Sequence, residues 1–294
     1  MSILRSINIY AGGVTGTWTA PLNLLDNSVL VECYGGGGAG ARTGTTAYRG
    51  GGGGGGGAYS KAIMTVTPGV TYDIWVGLGG YFISTSEVTN GQDSTFTDDD
   101  ESVCRGRGAS SPAIGSYAAT AGASFVEGDG DSGFSGGAGG NAQDISFCSG
   151  GGGGGAGGSS GAGTAGATGI PYSTYATGGI GGGGFAGNGG FGLYFSAKDN
   201  VVKGNWGLSF GGGGAGGYRI TSSNNGGNGG NGLLRLTWKE GEGTTQAQGV
   251  EVNSLIMANL SGHPEKEGFY IVNKVLYYQF PVGTIYTVDV TEEA

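Results

Sequence analysis

Apolar and polar positions alternate with a period of two in several separated stretches, and each stretch predicts a β-strand. Near the start, Ile3, Ile7 and Ile9 share a phase with Arg5. Val29, Val31 and Cys33 alternate with Leu30, Glu32 and Tyr34, and far downstream Leu234, Leu236 and Trp238 alternate with Leu233, Arg235 and Thr237. These last two stretches read as the edges of one sheet. Between them, Tyr59 to Val66 and Thr71 to Val76 flank Thr67-Pro68-Gly69-Val70, whose Pro-Gly pair has the chemistry of a tight turn. The two are therefore expected to form a hairpin that pairs with the flanking strands.

Elsewhere between Gly35 and Gly232 the periodicity stops and glycine takes over. The chain has 74 glycines, which make up about a third of that stretch and include the unbroken runs 50–57 and 150–155. One glycine in three is what a polyproline II helix requires when one of its three edges must lie bare against a neighbour. Collagen is excluded, because there is no sustained Gly-X-Y register and only 6 prolines. A flexible spacer is excluded by 15 Tyr, 11 Phe and 4 Trp, too many large rings for a chain that stays solvated. A lone polyglycine helix is unstable: fixing each residue costs about 1 to 2 kcal/mol, while a net backbone hydrogen bond returns about 1 kcal/mol. Packed side by side, such helices exchange bonds with several neighbours, and a flanking sheet supplies the remaining stability.

Charge narrows the partners. Only 12% of the 294 residues are charged and the net charge is −9, so neither nucleic acid nor an anionic membrane fits as a ligand. No window is apolar for long enough to span a bilayer, and Met1 to Tyr10 lacks a secretory apolar core. Cys33, Cys104 and Cys148 leave an odd thiol, which points to synthesis in a reducing cytoplasm rather than to a disulfide framework.

The order of the pieces is specific. Thr17-Trp18-Thr19-Ala20-Pro21 precedes Val29 to Tyr34, which runs into Gly35 to Gly38; Gly50 to Gly57 precedes a strand; Thr67-Pro68-Gly69, Val76 to Gly80 and Gly226 to Gly232 follow. This series resembles the glycine-rich domain of bacteriophage tail fibre and receptor-binding proteins, including the tip adhesins of T-even-like long tail fibres. Unlike those adhesins, the sequence reaches its glycine block by residue 35 and continues past it into residues 241–294. The resemblance implies a mostly irregular and β fold. Residues 1–34 are expected to complete the sheet, 35–240 to form a sandwich of packed polyglycine II helices with variable loops, and 241–294 to form a small C-terminal β module. In that module Val250 to Leu260, Phe269 to Phe280 and Thr284 to Val290 read as strands, the last two as a hairpin.

The resemblance also implies a virion tail protein, made in the host cytoplasm, that binds a host cell-surface glycan or outer-membrane protein. Other virion tail proteins and further copies of the chain are its expected partners. Recognition falls to loops on a rigid frame, here 41–49, 81–105, 116–135, 141–148, 170–177, 193–210 and 218–225. Tyr194, Phe195, Lys198, Lys203 and Trp206 combine aromatic faces with a lysine pair suited to an acidic glycan, and Tyr81, Phe82 and Phe147 join them as candidates. If successive passes alternate in direction, loops 81–105, 141–148 and 193–210 share one end, opposite the others, unless a turn at Ser159-Ser160 changes the parity.

Catalytic chemistry is not expected. The one histidine, His263, precedes Pro264 in a turn-like setting, and no His or Cys spacing matches a zinc site. Glu127-Gly128-Asp129-Gly130-Asp131 alternates carboxylates as a calcium loop does, but the twelfth position is Ala138. No cofactor or metal is expected. Besides an adhesin, the sequence is compatible with a structural tail or baseplate component, and with a cellular structural or ice-binding protein. An ice-binding bundle needs a regular array of small residues, for which the sequence shows no strict tripeptide repeat.

Overall fold

Every alternating stretch forms the strand it predicts, and the strands gather at one end of the glycine block. The computed structural model describes residues 2–10, 13–43, 50–84, 86–98, 103–143, 149–170, 175–193, 204–208, 210–218, 226–241, 250–255, 268–272, 275–279 and 285–288. The strands are β1 (Ser2–Ile9), β2 (Val14–Thr19), β3 (Ser28–Tyr34), β4 (Tyr59–Thr65), β5 (Thr71–Val76), β6 (Ser94–Thr97), β7 (Val103–Gly106), β8 (Ser132–Phe134), β9 (Tyr175–Ala176), β10 (Gly192–Leu193), β11 (Leu233–Gly241), β12 (Val250–Leu255), β13 (Gly268–Val272), β14 (Val275–Gln279) and β15 (Ile285–Val288). Two five-stranded antiparallel sheets, ordered β1-β11-β3-β4-β8 and β12-β2-β5-β6-β7, carry most of them.

The sheets face each other across a single core. Val29, Val31, Cys33, Leu234, Leu236 and Trp238 line one side; Trp18, Tyr72, Ile74, Val76, Phe96 and Cys104 line the other. Trp18 sits at the centre, with ring centroids 5.5 Å from Trp238, 6.0 Å from Phe96 and 6.1 Å from Tyr72.

Two pairing expectations are corrected. β3 and β11 are not sheet edges; they are neighbours in the middle of one sheet, with Leu233 opposite Tyr34 and Leu236 opposite Val31. β4 and β5 are not a hairpin either, because they lie in opposite sheets. The tight turn is real: Val70 N–H donates to Thr67 O at 3.0 Å, with Gly69 at φ 80°, the type II geometry that places Pro then Gly at the corner. It bridges the sheets instead of joining neighbours. Ala62, Met64 and Val66 thereby face Tyr72, Ile74 and Val76 across the core, which a hairpin within one sheet would not allow.

From the expected C-terminal module, β12 pairs with β2 and extends the second sheet, with a register shift between Val252 and Ser254. β13, β14 and β15 form a separate antiparallel sheet in that order. The segment expected as one strand, Phe269 to Phe280, is thus two, and β14 pairs with β15 as the expected hairpin does.

The glycine passes run out of these strands and back into them. Along 151–157, Gly151, Gly154 and Gly157 donate to the carbonyls of Gly51, Gly54 and Gly57; Gly152 and Gly155 donate to Ala167 and Thr164; Gly153 and Ala156 donate to Gly190 and Gly187. Each donor direction recurs every third residue, the repeat of a polyproline II helix. The same pass accepts from Gly137 and Gly140, from Gly179 and Gly182, and from Gly213 and Gly216. Pass 149–158 is therefore ringed by 50–58, 135–143, 161–170, 177–182, 186–192 and 211–218. Close approach explains the glycine: a Cβ at Gly153 would fall on the carbonyl oxygen of Gly213.

Followed through the bonds, the passes stack in layers. The first holds 161–170, 135–143 and 117–125; the second 177–182, 149–158, 50–58 and 107–112; the third 186–192, 211–218, 35–43 and 90–93; the last 204–208, 226–232 and 77–80.

Candidate functional site

The two ends of the lattice are built differently. At the sheet end the chain reverses in tight turns: Gly158 bridges to Gly161 around Ser159-Ser160, Ala186 donates to Gly183 O at 3.2 Å, and Gly211 turns at φ 79°. Aromatic rings seal these turns against the sandwich. Phe185 stands edge-on to Tyr34 at 6.4 Å and to Phe210 at 6.5 Å, Phe210 stacks on Tyr10 at 5.3 Å, and the Arg235 guanidinium lies 5.5 Å above Phe185. Beneath them Tyr34 and Tyr59 pack at 4.7 Å, and Glu32, buried beside them, accepts the Tyr59 hydroxyl at 2.8 Å and pairs with Arg235 at 3.6 Å. Burial, then the Glu32 charge, pushes the Tyr34 phenol up to about 12; burial and the bond to Glu32 raise Tyr59 further.

The far end is where the long connections leave. Gly115 donates to Arg42 O, Ala142 to Tyr117 O, Gly169 to Asn141 O, Ile170 to Ser149 Oγ and Gly217 to Ala41 O, all between 2.7 and 3.0 Å. Gly50 bridges to Tyr218, and Leu193 pairs with Tyr175. The flanks of 44–49, 144–148, 171–174, 194–203 and 219–225 therefore all stand at one level.

This corrects the expected alternation of loops between two ends. The turn at Ser159-Ser160 exists, and similar returns at Gly183 to Phe185 and near Phe210 sit at the sheet end, so 141–148, 170–177 and 218–225 share the far end. Two expected loops also dissolve. Of 81–105, a hairpin in which Phe82 bridges to Val88 is followed by pass 90–93 and by β6 and β7; of 116–135, most is pass 117–125, a turn and β8. Short returns made of Gly and Ser do not stand out against a background of the same residues.

The predicted site residues divide accordingly. Tyr194, Phe195, Lys198, Lys203 and Phe147 lie outside the described residues. Tyr81 and Phe82 are half-buried at the base of their hairpin, where Tyr81 N–H donates to Thr89 Oγ1 at 3.0 Å. Trp206 is 58% exposed, but it stands on pass 204–208, on the side of the lattice rather than in an end loop. Ile180, Phe191 and Leu208 are exposed on neighbouring passes, and the sequence reading missed them. Their signal was available: each is the large residue of a short glycine pass.

The acidic run is structural. Arg107 clasps the buried Asp129 with both Nε (2.5 Å) and Nη2 (2.9 Å), while Asp131 accepts Ile63 N–H at 2.8 Å and Asp129 O accepts Arg105 N–H at 2.7 Å. The turn thus covers the edge of β7 and the part of β4 beyond its pairing with β8, beside an open cleft of about 590 Å³ lined by Ala62, Met64, Val103 and the turn itself. Among the described residues no cluster of His, Cys, Asp and Glu could hold a metal ion, and no helix is long and apolar enough to cross a membrane. Cys33 and Cys104 are free and buried, and burial raises the Cys33 thiol. His263 lies outside the described residues.

A frame of glycine passes, bonded through the backbone and closed by a β-sandwich at one end, accounts for the sequence from the first core strands to β11. No curated protein matches the chain. Residues 11–239 match the family model described as a glycine-rich domain, and the chain belongs to that family.

Proposed function

We propose that this protein is a bacteriophage tail fibre or tail-tip adhesin whose lattice holds recognition loops against a host-cell receptor. The observation that carries this reading is the asymmetry of the lattice: tight turns seal the sheet end, whereas the longer connections between passes, 44–49, 144–148, 171–174, 194–203 and 219–225, have their flanks at the far end. A backbone-bonded frame fixes the loop ends, so recognition needs little further ordering. The net charge of −9 and the absence of a readable catalytic constellation fit binding better than turnover. Residues beyond β11 serve for mounting on other tail proteins or on further copies of the chain. The test is retention of the purified protein on intact Gram-negative cells, compared with cells stripped of lipopolysaccharide or of outer-membrane proteins. Retention lost on one stripped preparation identifies the receptor class; no retention on hosts permissive for the source phage sinks the reading.

A second reading has its own observation. In the first layer the outward positions recur every third residue: Ala118, Ala121 and Ser124; Ala138 and Asn141; Ala162, Ala165 and Thr168, all exposed. Although the sequence lacks a strict tripeptide repeat, this face is a regular array of small side chains of the kind an ice-binding surface requires. Thermal hysteresis measured on the purified protein separates the two readings, since an adhesin shows none.

A further inference from the structure

We propose that Cys33 and Cys104 are a redox-active pair that closes into a disulfide between the two sheets when the folded chain meets a small disulfide oxidant. The chemistry of the pair is independent of the adhesin reading.

The two thiols face each other from opposite sheets, Cys33 on β3 and Cys104 on β7, and both are free and fully buried. Each sulfur reaches the other's strand. Cys33 Sγ donates to the Cys104 carbonyl at 3.3 Å, and Cys104 Sγ donates to Val31 O, on the same strand as Cys33, at 3.7 Å. Ser60, opposite Cys33 in the β3–β4 register, holds its Oγ 3.6 Å from Cys104 Sγ.

The backbones converge as well. Cα atoms of β3 and β7 come within 8 Å, nearer than the roughly 10 Å between stacked sheets. A Cβ at Gly106, on the same strand as Cys104, would fall 2.6 Å from Cys33 O, so β7 lies against the backbone of β3. A disulfide requires Cα atoms about 4.4 to 6.8 Å apart, a span that sheets at their usual separation do not offer and that these converging strands approach.

Access differs between the two thiols. β3 lies between β11 and β4, whereas β7 is the last strand of its sheet and only four residues long, and Val103 and Arg105 on either side of Cys104 line the open cleft beside the turn 127–131. Local opening of β7 therefore brings out Cys104 first. Its thiolate attacks the oxidant RSSR, forming a Cys104–S–SR bond and releasing one RS⁻; Cys33 then attacks the Cys104 sulfur and releases the second. The two cysteines lose two electrons and two protons, and the oxidant leaves as two RSH. Burial, then a hydrogen bond with the Cys104 thiol, raises the Cys33 thiol, which keeps the pair unreactive while the core is closed.

The experiment incubates the folded full chain with hydroxyethyl disulfide, a neutral oxidant that a net charge of −9 does not repel, then alkylates, digests without reductant and maps the peptides by mass. A Cys33–Cys104 linked peptide is expected, lost on treatment with dithiothreitol. The linked protein should unfold with an equilibrium constant about a hundredfold smaller or more, because the bond joins residues 71 apart in the chain. In Cys104→Ser the oxidant should leave the denaturation midpoint where it was; if circular dichroism shows that this variant does not fold, Cys33→Ser takes its place. Cys33 and Cys104 recovered as separate alkylated or mixed-disulfide peptides overturns the proposal. So does either of them linked to Cys148, a linked protein no more stable than the reduced one, or the same stabilisation by oxidant in the serine variant.

Discussion

The Tyr59 hydroxyl donates to Glu32 Oε1 at 2.8 Å, and both residues are buried where the sandwich meets the glycine lattice. Tyr34 packs against the same ring at 4.7 Å. Neither phenol can ionise there without placing a second negative charge beside Glu32.

Stability should therefore fall in alkali. Below pH about 10, the ordinary tyrosine value, both phenols are neutral folded and unfolded, and the full stability is present. Above it the unfolded chain releases protons that the folded state retains, so stability declines as pH rises from about 10 through about 12, where Tyr34 titrates. Each retained proton contributes a slope of about 1.4 kcal/mol per pH unit. Denaturant unfolding from pH 8 to 12 measures it, and Tyr34→Phe should remove about one proton from the slope.

Gly153 and Gly161 should respond very differently to a side chain. A Cβ at Gly153 meets the Gly213 carbonyl oxygen inside the lattice, whereas at Gly161 nothing lies within 4 Å. Gly153→Val should cost several kcal/mol or prevent folding, beyond the usual 1 to 3 kcal/mol of overpacking because backbone cannot move aside. Gly161→Val should cost less than about 1 kcal/mol. Comparable melting temperatures for the two would refute the close packing.

The amides of 151–157 should be among the slowest to exchange, since each donates to another pass at 2.9 to 3.0 Å. Hydrogen exchange followed by mass spectrometry reads this directly. Rapid exchange across that run contradicts the lattice.

Arg107→Ala should leave Asp129, only 5% exposed, without its cation. Breaking a buried pair costs about 3 to 5 kcal/mol, and because Arg107 is itself 38% exposed the loss here should be about 2 kcal/mol. Chemical denaturation checks it, and Arg107→Lys should recover only part, since an ammonium cannot grip both oxygens.

Trp206→Ala combined with Tyr194→Ala should abolish retention on host cells while leaving folding unchanged. Truncating an aromatic anchor costs about 2 kcal/mol or more of binding, while an exposed ring contributes less than about 0.5 kcal/mol to stability. Lys198→Ala and Lys203→Ala should weaken capture mainly at low salt. Undiminished retention of the double aromatic variant rejects this region as the receptor site.

The sequence showed which residues pack and hid which of them are neighbours. Alternation identified Val29, Val31, Leu234 and Leu236 as core because a period of two survives in any sheet. It could not say that β3 lies beside β11, nor that Pro68-Gly69 bridges two sheets, because pairing depends on residues distant in the chain. Within the glycine block the difficulty is sharper. Gly153 and Gly161 look alike in sequence, yet one is enclosed and the other open, since a pass records its neighbours only through hydrogen bonds that every glycine can make. Trp206 stands out in sequence as an aromatic of loop 193–210 near Lys198 and Lys203, and its exposure agrees, but its place on the side of the lattice depends on counting returns that leave no mark in composition.

The threefold recurrence of donors along 151–157 has a consequence for how such a protein changes length. Inserting one glycine in a pass rotates everything beyond it by a third of a turn, so that each amide faces a neighbour chosen for another residue. Adding three restores every direction and lengthens the pass by about 9 Å. Within the frame, viable insertions and deletions should come in triplets of residues, while the connections at the far end are free to vary by any number, and a collection of natural variants should divide along that line.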